Sequence, residues 1–247
     1  MLTFKNTAQS LNDSSDFIEF KRGLKMSIPM LLGVIPFALV LGTQATQKGF
    51  SLLEIPLLTG LNFAGGSEFA ILEVWTNPPH IFVLMFITFL VNSRHLLMGA
   101  SLVPYLKHLP NKKVLPALFF MCDESWAMGL ANAQQNSHYK LSQQFNMAFY
   151  SGVCFALYSM WVVFTALGGA IGPVLGDVTR WGFDMAFPAV FLVLLRGMWQ
   201  GFSAARPWLV SLIAAVLAYL YLPQGWYVPV GTICGIASAF FLTGDEA

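Results

Sequence analysis

The chain has 247 residues, 56% of them hydrophobic and only 10% charged, with a mean hydropathy of +0.64. A soluble domain carries about 25% charged residues, so a water-soluble globule is excluded. A net charge of +1 gives no basic surface for nucleic acid, and none is expected as a partner. Cys122, Cys154 and Cys234 each lie in an apolar stretch with no CxxC spacing, which points to neither a metal site nor a disulfide framework.

Residues 1–22 read as a polar, cytoplasmic N-terminal tail, with a surface helix around Phe17, Ile18 and Phe20. No short apolar core follows a basic start, so no cleavable secretory signal is expected. Residues 23–247 then read as a single transmembrane domain. Its apolar segments run roughly 26–46, 53–75, 80–104, 114–133, 142–170, 182–200, 207–222 and 226–243, each near the 20 residues that span about 30 Å. Lys21, Arg22 and Lys25 flank the first segment and assign the N-terminus to the cytoplasm.

Two segments read as broken. Segment 53–75 carries Gly65, Gly66 and Glu68 at its middle, and segment 182–200 carries Asp184 and Pro188. Irregular backbone at membrane depth survives only where protein or a polar cavity covers it. Offset by 122 residues, Gly60, Ala64, Phe69 and Leu72 align with Gly182, Ala186, Phe191 and Leu194, which suggests repeats over 24–133 and 142–243. If all eight segments cross, the basic residues divide almost evenly between the two sides. If the two broken segments are re-entrant, only Lys48 and Lys140 of eleven lie outside. The positive-inside rule favours the second arrangement: an all-α polytopic protein of about six spans plus two re-entrant or broken helices, the halves inverted, both termini cytoplasmic. Seven or eight full spans is the alternative.

Ionisable residues inside these segments carry the functional argument. Glu68, Arg94, Asp123, Glu124 and Asp184 are expected deep in the membrane, where a charge at a helix centre costs about 2.5–3.5 kcal/mol. Four acids against one base is an expensive balance, so at least one acid should hold a proton near neutral pH. Arg94 has the choice of Asp123 or Glu124 as a partner, in a purely structural pair or a functional one. Asn92 and His95, three apart, share a helix face, and His95 titrates in the physiological range or sits neutral against a carbonyl. Gly65, Gly66 and Ser67 either expose backbone groups that can hold a carboxylate or serve as close-packing small residues. No enzyme signature, ATP-binding loop or cofactor motif is visible, which leaves secondary transport as the economical reading. A passive channel for small polar solutes and a non-transporting assembly subunit are the rivals.

The elements GLKMSIPMLLGVIPFALVLG (23–42), FAGGSEFAIL (63–72), NSRHLLMGASLVPYL (92–106), DES (123–125) and GFDMAFPAVF (182–191) occur in one order. In that order the chain resembles the AzlC family, the large subunit of bacterial branched-chain amino acid exporters, over about residues 22–243. The resemblance implies a multi-pass protein of the bacterial inner membrane that exports leucine, isoleucine or valine with a small AzlD-type membrane subunit. It puts Gly66, Ser67, Asn92, Arg94, His95, Asp123 and Glu124 at the family's recurrent polar positions. The family usually has glutamine where this chain has Glu68, which widens the substrates to be considered toward those with a cationic group.

Overall fold

The computed structural model of the protein describes residues 2–175, 192, 196, 201, 202, 205–222 and 226–242. Among them every regular element is a helix. Asp184 and the broken segment expected over 182–200 lie outside the described side chains and turns, apart from the helical positions 192 and 196.

The first helix, α1 (Leu2–Gln47), contains Pro29 and Pro36. It continues from the polar N-terminal residues into the first apolar segment, so the tail is not a separate surface helix. Then come α2 (Glu54–Asn62), α3 (Gly65–Val74), α4 (Ile81–Asn92), α5 (Arg94–Leu106), α6 (Asn111–Phe119), α7 (Asp123–Gln135), the single turn α8 (Leu141–Gln144) and α9 (Met147–Leu175). The last two are α10 (Arg206–Tyr221) and α11 (Tyr227–Leu242). Among the described residues three stretches are long and apolar enough to cross a bilayer: Ser15–Gln47, Ile81–Leu106 and Met147–Val174. The exposed Leu32, Phe82, Phe89, Phe155 and Val174 suit a lipid solvent.

The chain forms two compact units, Met1–Ala64 with Arg94–Val174, and Gly65–Ser93 with Leu175–Ala247. In the first unit α1 and α9 pack backbone to backbone. A Cβ on Gly23 would strike Phe149 O, one on Gly152 would strike Phe20 O, and those on Gly42 and Gly168 would strike Thr165 O and Leu39 O. Only glycine permits this approach, which is how membrane helices gain contact without a hydrophobic driving force. Thr43 and Thr46 add hydroxyl bonds to Gly168 O and Gly169 O, each at 3.0 Å.

These contacts rise together along both helices, so α1 and α9 run parallel. Asn146, just before α9, donates to Glu19 at 2.8 Å, and the Arg22 guanidinium lies over the Phe149 ring. Lys140 therefore belongs to the same end of the unit as Lys21, which corrects the charge-derived placement of Lys140 opposite Lys21. It also sets the first helices of the two suggested halves in the same direction, where inverted halves would oppose them.

The reason is segment 114–133, expected to cross but in fact a helical hairpin. Going inward, Tyr150 donates to Ala117 O at 3.1 Å and the Phe120 ring meets Tyr158 at 4.8 Å. The chain then turns at Phe120–Cys122, and α7 returns until Asn136 donates to Gln144 O at 3.0 Å. Met98, Leu102, Leu106, Ala117, Met121, Ala133 and Tyr150 form the core between α5, α6, α7 and α9.

The second unit packs α3 on α4 and α4 on α11, while α10 and α11 form an antiparallel pair. There Gly231 and Gly235 admit Ser211, whose hydroxyl donates to Gly231 O at 2.8 Å.

Candidate functional site

Every described candidate residue sits at a helix break. Gly65, Gly66, Ser67 and Glu68 form the first turn of α3, and Ser67 and Glu68 are fully buried. The expected break in segment 53–75 is real and lies two residues earlier than the glycines. Phe63 adopts the left-handed conformation at φ 44° and donates its N–H to Thr59 O, closing α2. Asn92 ends α4, and Arg94 and His95 open α5. Between them Ser93 tightens the turn, with its N–H and its hydroxyl both donating to Leu90 O at 3.3 and 2.7 Å. Asn92 and His95 therefore flank a junction and do not share one uninterrupted face.

Asp123 and Glu124 open α7. This break, at Phe120–Cys122, holds no glycine or proline to announce it in the sequence. Its signal is local: Cys122 caps the helix, the Ser125 hydroxyl accepts the Cys122 N–H at 2.9 Å, and two acids occupy the first turn. Acids in a first turn meet the positive end of the helix dipole, so Asp-Glu-Ser reads as a helix start as readily as a mid-span charge.

Of these residues, Arg94 and Asp123 are brought together, Nη1 to Oδ2 at 2.6 Å. Their side chains keep 39% and 35% of their exposure. An exposed pair contributes about 1 kcal/mol or less, whereas each charge alone at mid-bilayer costs about 2.5–3.5 kcal/mol. Avoided desolvation, more than attraction, is what the contact supplies. Arg94 Nε is buried with no hydrogen-bond partner, so the guanidinium retains a donor. From Leu106 back to Arg94 is about 18 Å at 1.5 Å per residue, which puts the pair near the middle of a bilayer.

Tyr158 marks a second meeting point, not singled out from the sequence. Its hydroxyl donates to Gly60 O at 2.9 Å, one of the end carbonyls of α2. Its ring meets Phe63 at 5.0 Å and Phe120 at 4.8 Å, both edge-on. Tyr158 thus joins the ends of the two half-length helices α2 and α6. Beside it Thr59 and Thr165, both fully buried, share a 3.0 Å hydroxyl bond. No group of three or more His, Cys, Asp or Glu that could hold a metal occurs among the described residues.

The family model described as AzlC protein matches residues 29–175, a stretch that includes every described candidate residue. The chain is 26% identical to the inner membrane protein YgaZ of Escherichia coli, covering 93% of this chain and 90% of that one. An uncharacterized membrane protein of Archaeoglobus fulgidus is 31% identical over 71% of this chain and 74% of its own. The branched-chain amino acid transport protein AzlC of Bacillus subtilis is 27% identical over 73% and 68%. No solved structure matches. With the family model covering more than half of its length, this helical membrane protein belongs to the AzlC family.

Proposed function

We propose that the chain is the large subunit of a secondary exporter of branched-chain or other apolar amino acids in a bacterial inner membrane, coupled to proton entry and working with a small AzlD-type subunit. The observation that carries this reading is the Arg94–Asp123 pair at the coincident starts of α5 and α7. A zwitterion can exchange for such a pair, its carboxylate taking the guanidinium and its ammonium the aspartate, without leaving either charge bare in the membrane. The printed name of the Bacillus subtilis relative supports the substrate class, and that of the Escherichia coli relative supports the membrane.

For the proton we propose Glu68, because a fully buried carboxyl in a membrane protein is cheapest when it can pick up and release a proton. A proton entering through 100 mV contributes about 2.3 kcal/mol. The basic residues Lys21, Arg22, Lys112, Lys113 and Lys140 belong to the end of the first unit where Asn146 meets Glu19 and where Asp16 faces Lys112, and the positive-inside rule supports a cytoplasmic placement of that end.

The test is leucine efflux from cells preloaded with leucine-containing dipeptides, with the chain alone and beside the small subunit. Efflux that needs both subunits, falls when the proton gradient is collapsed and is lost in Arg94→Ala is the expected result. Glu68→Gln should uncouple efflux from the gradient. Leucine efflux that neither saturates nor responds to the gradient would identify a channel instead. Unchanged efflux with a well-inserted pair would overturn the substrate.

A further inference from the structure

A cavity of about 1160 Å³ lies within the first unit, bounded by α1, α6, the α8–α9 junction and the first three turns of α9. Its rim carries Lys112, Lys113, His108 and Asp16. Its walls include Ser142, Gln143, Asn146, Tyr150 and Ser151, and Phe120, Cys154 and Tyr158 line the end farthest along α6 and α9 from the rim. From Met147 to Tyr158 is about 17 Å along α9, so the cavity reaches mid-bilayer depth. Tyr158, bonded to Gly60 O and flanked by Phe63 and Phe120, closes its floor.

We infer that this cavity is the entry vestibule for a zwitterionic, apolar amino acid, with Lys112 and Lys113 drawing in the carboxylate and the Phe120–Tyr158 floor receiving the side chain. The inference rests on the exporter reading above, to which it adds a binding region that excludes Arg94 and Asp123. Three properties favour this occupant. The rim holds both signs of charge, as a zwitterion needs, with an excess of cations. The walls mix amide and hydroxyl groups with aromatic and aliphatic side chains, as an amino acid with an apolar side chain needs, whereas a lipid tail needs no amide or hydroxyl partners. The volume slightly exceeds the roughly 300–1,000 Å³ of fitted ligand pockets, which suits transit more than tight binding.

The experiment uses the full chain with its small subunit in sealed membrane vesicles of both orientations, and a membrane-impermeant maleimide as probe. Ser151→Cys and Gln143→Cys place thiols on the wall and nearer the rim, with the unaltered protein as the blank. Both thiols should react only from the cytoplasmic side, and millimolar leucine should slow the Ser151→Cys reaction several-fold. Replacing Lys112 and Lys113 with alanine should raise the leucine concentration for half-protection about five-fold, the scale of an exposed ion pair, and leave protection by leucinol, which lacks the carboxylate, unchanged.

Protection by a different apolar amino acid but not leucine would keep the vestibule and overturn the branched-chain reading. Vesicles that carry leucine while neither thiol is protected would overturn the vestibule and keep the exporter. Protection by added anionic phospholipid alone would overturn it in favour of a lipid site.

Discussion

Arg94 and Asp123 are the first residues of two helices that run the same way, and their side chains meet at 2.6 Å. Farther along in the same direction Trp126, about one turn into α7, donates its indole N–H to Ser101, about two turns into α5, at 2.8 Å. Both helix dipoles point their positive ends at this contact, which favours Asp123 and disfavours Arg94 unless the aspartate stays beside it. Removing either charge alone should lower the amount of protein in the membrane and abolish leucine efflux. Replacing both together, Arg94→Met with Asp123→Leu, should restore the amount, because no bare charge remains. Efflux should stay at least ten-fold down if the pair handles substrate. Quantifying inserted protein alongside efflux separates the two roles, and full efflux in the double variant would make the pair purely structural.

The α1–α9 contact predicts a contrast between glycines. Gly152→Leu drives a side chain into the Phe20 carbonyl, and backbone cannot give way as a flexible side chain can. A loss of about 1–3 kcal/mol or more is expected, read as a lower thermal unfolding midpoint in detergent. Gly33→Ala, on the same α1, meets nothing within 4 Å and should leave the midpoint within error.

Parallel helices also fix the sidedness of the turns. Single cysteines at Lys21, Lys112 and Lys140 should react with an impermeant thiol reagent from one side of the membrane, and a cysteine at Lys48 from the other. Labelling of Lys140→Cys together with Lys48→Cys would restore the arrangement expected from loop charges and refute the helical hairpin of α6 and α7.

Composition alone was sufficient for a helical membrane protein, and glycines beside Glu68 were sufficient to foresee the break before α3. The break before α7 escaped for a physical reason. Apolar windows register hydrophobic content, and Phe119, Phe120 and Met121 are as apolar as a continuous helix would be. The information sits in the cap, where Cys122, Asp123, Glu124 and Ser125 form a helix start. One hairpin read as a span reverses the direction assigned to α9 relative to α1, and so puts Lys140 at the wrong end of the unit. The Arg94–Asp123 contact was legible as one of two pairings, since few partners exist for an arginine in a membrane. Tyr158 was not legible at all. Its role depends on the ends of α2 and α6 arriving beside α9, a tertiary fact with no local signature.

Phe63 supplies a test in which two opposed effects can be weighed. Its left-handed backbone, φ 44° and ψ 50°, costs a residue with a side chain about 1 kcal/mol relative to glycine. Its ring, 6% exposed and edge-on to Tyr158, would cost about 3–5 kcal/mol to delete. Phe63→Gly should therefore destabilise the protein despite relieving the backbone, by a few kcal/mol in unfolding measurements. Tyr158→Phe keeps the rings together and removes only the bond to Gly60 O, a loss of about 1 kcal/mol. If the two α2–α9 contacts act as a unit, combining Phe63→Gly with Tyr158→Phe should cost less than the sum of the separate losses. Simple additivity would show that the ring contact and the hydroxyl bond hold the end of α2 independently.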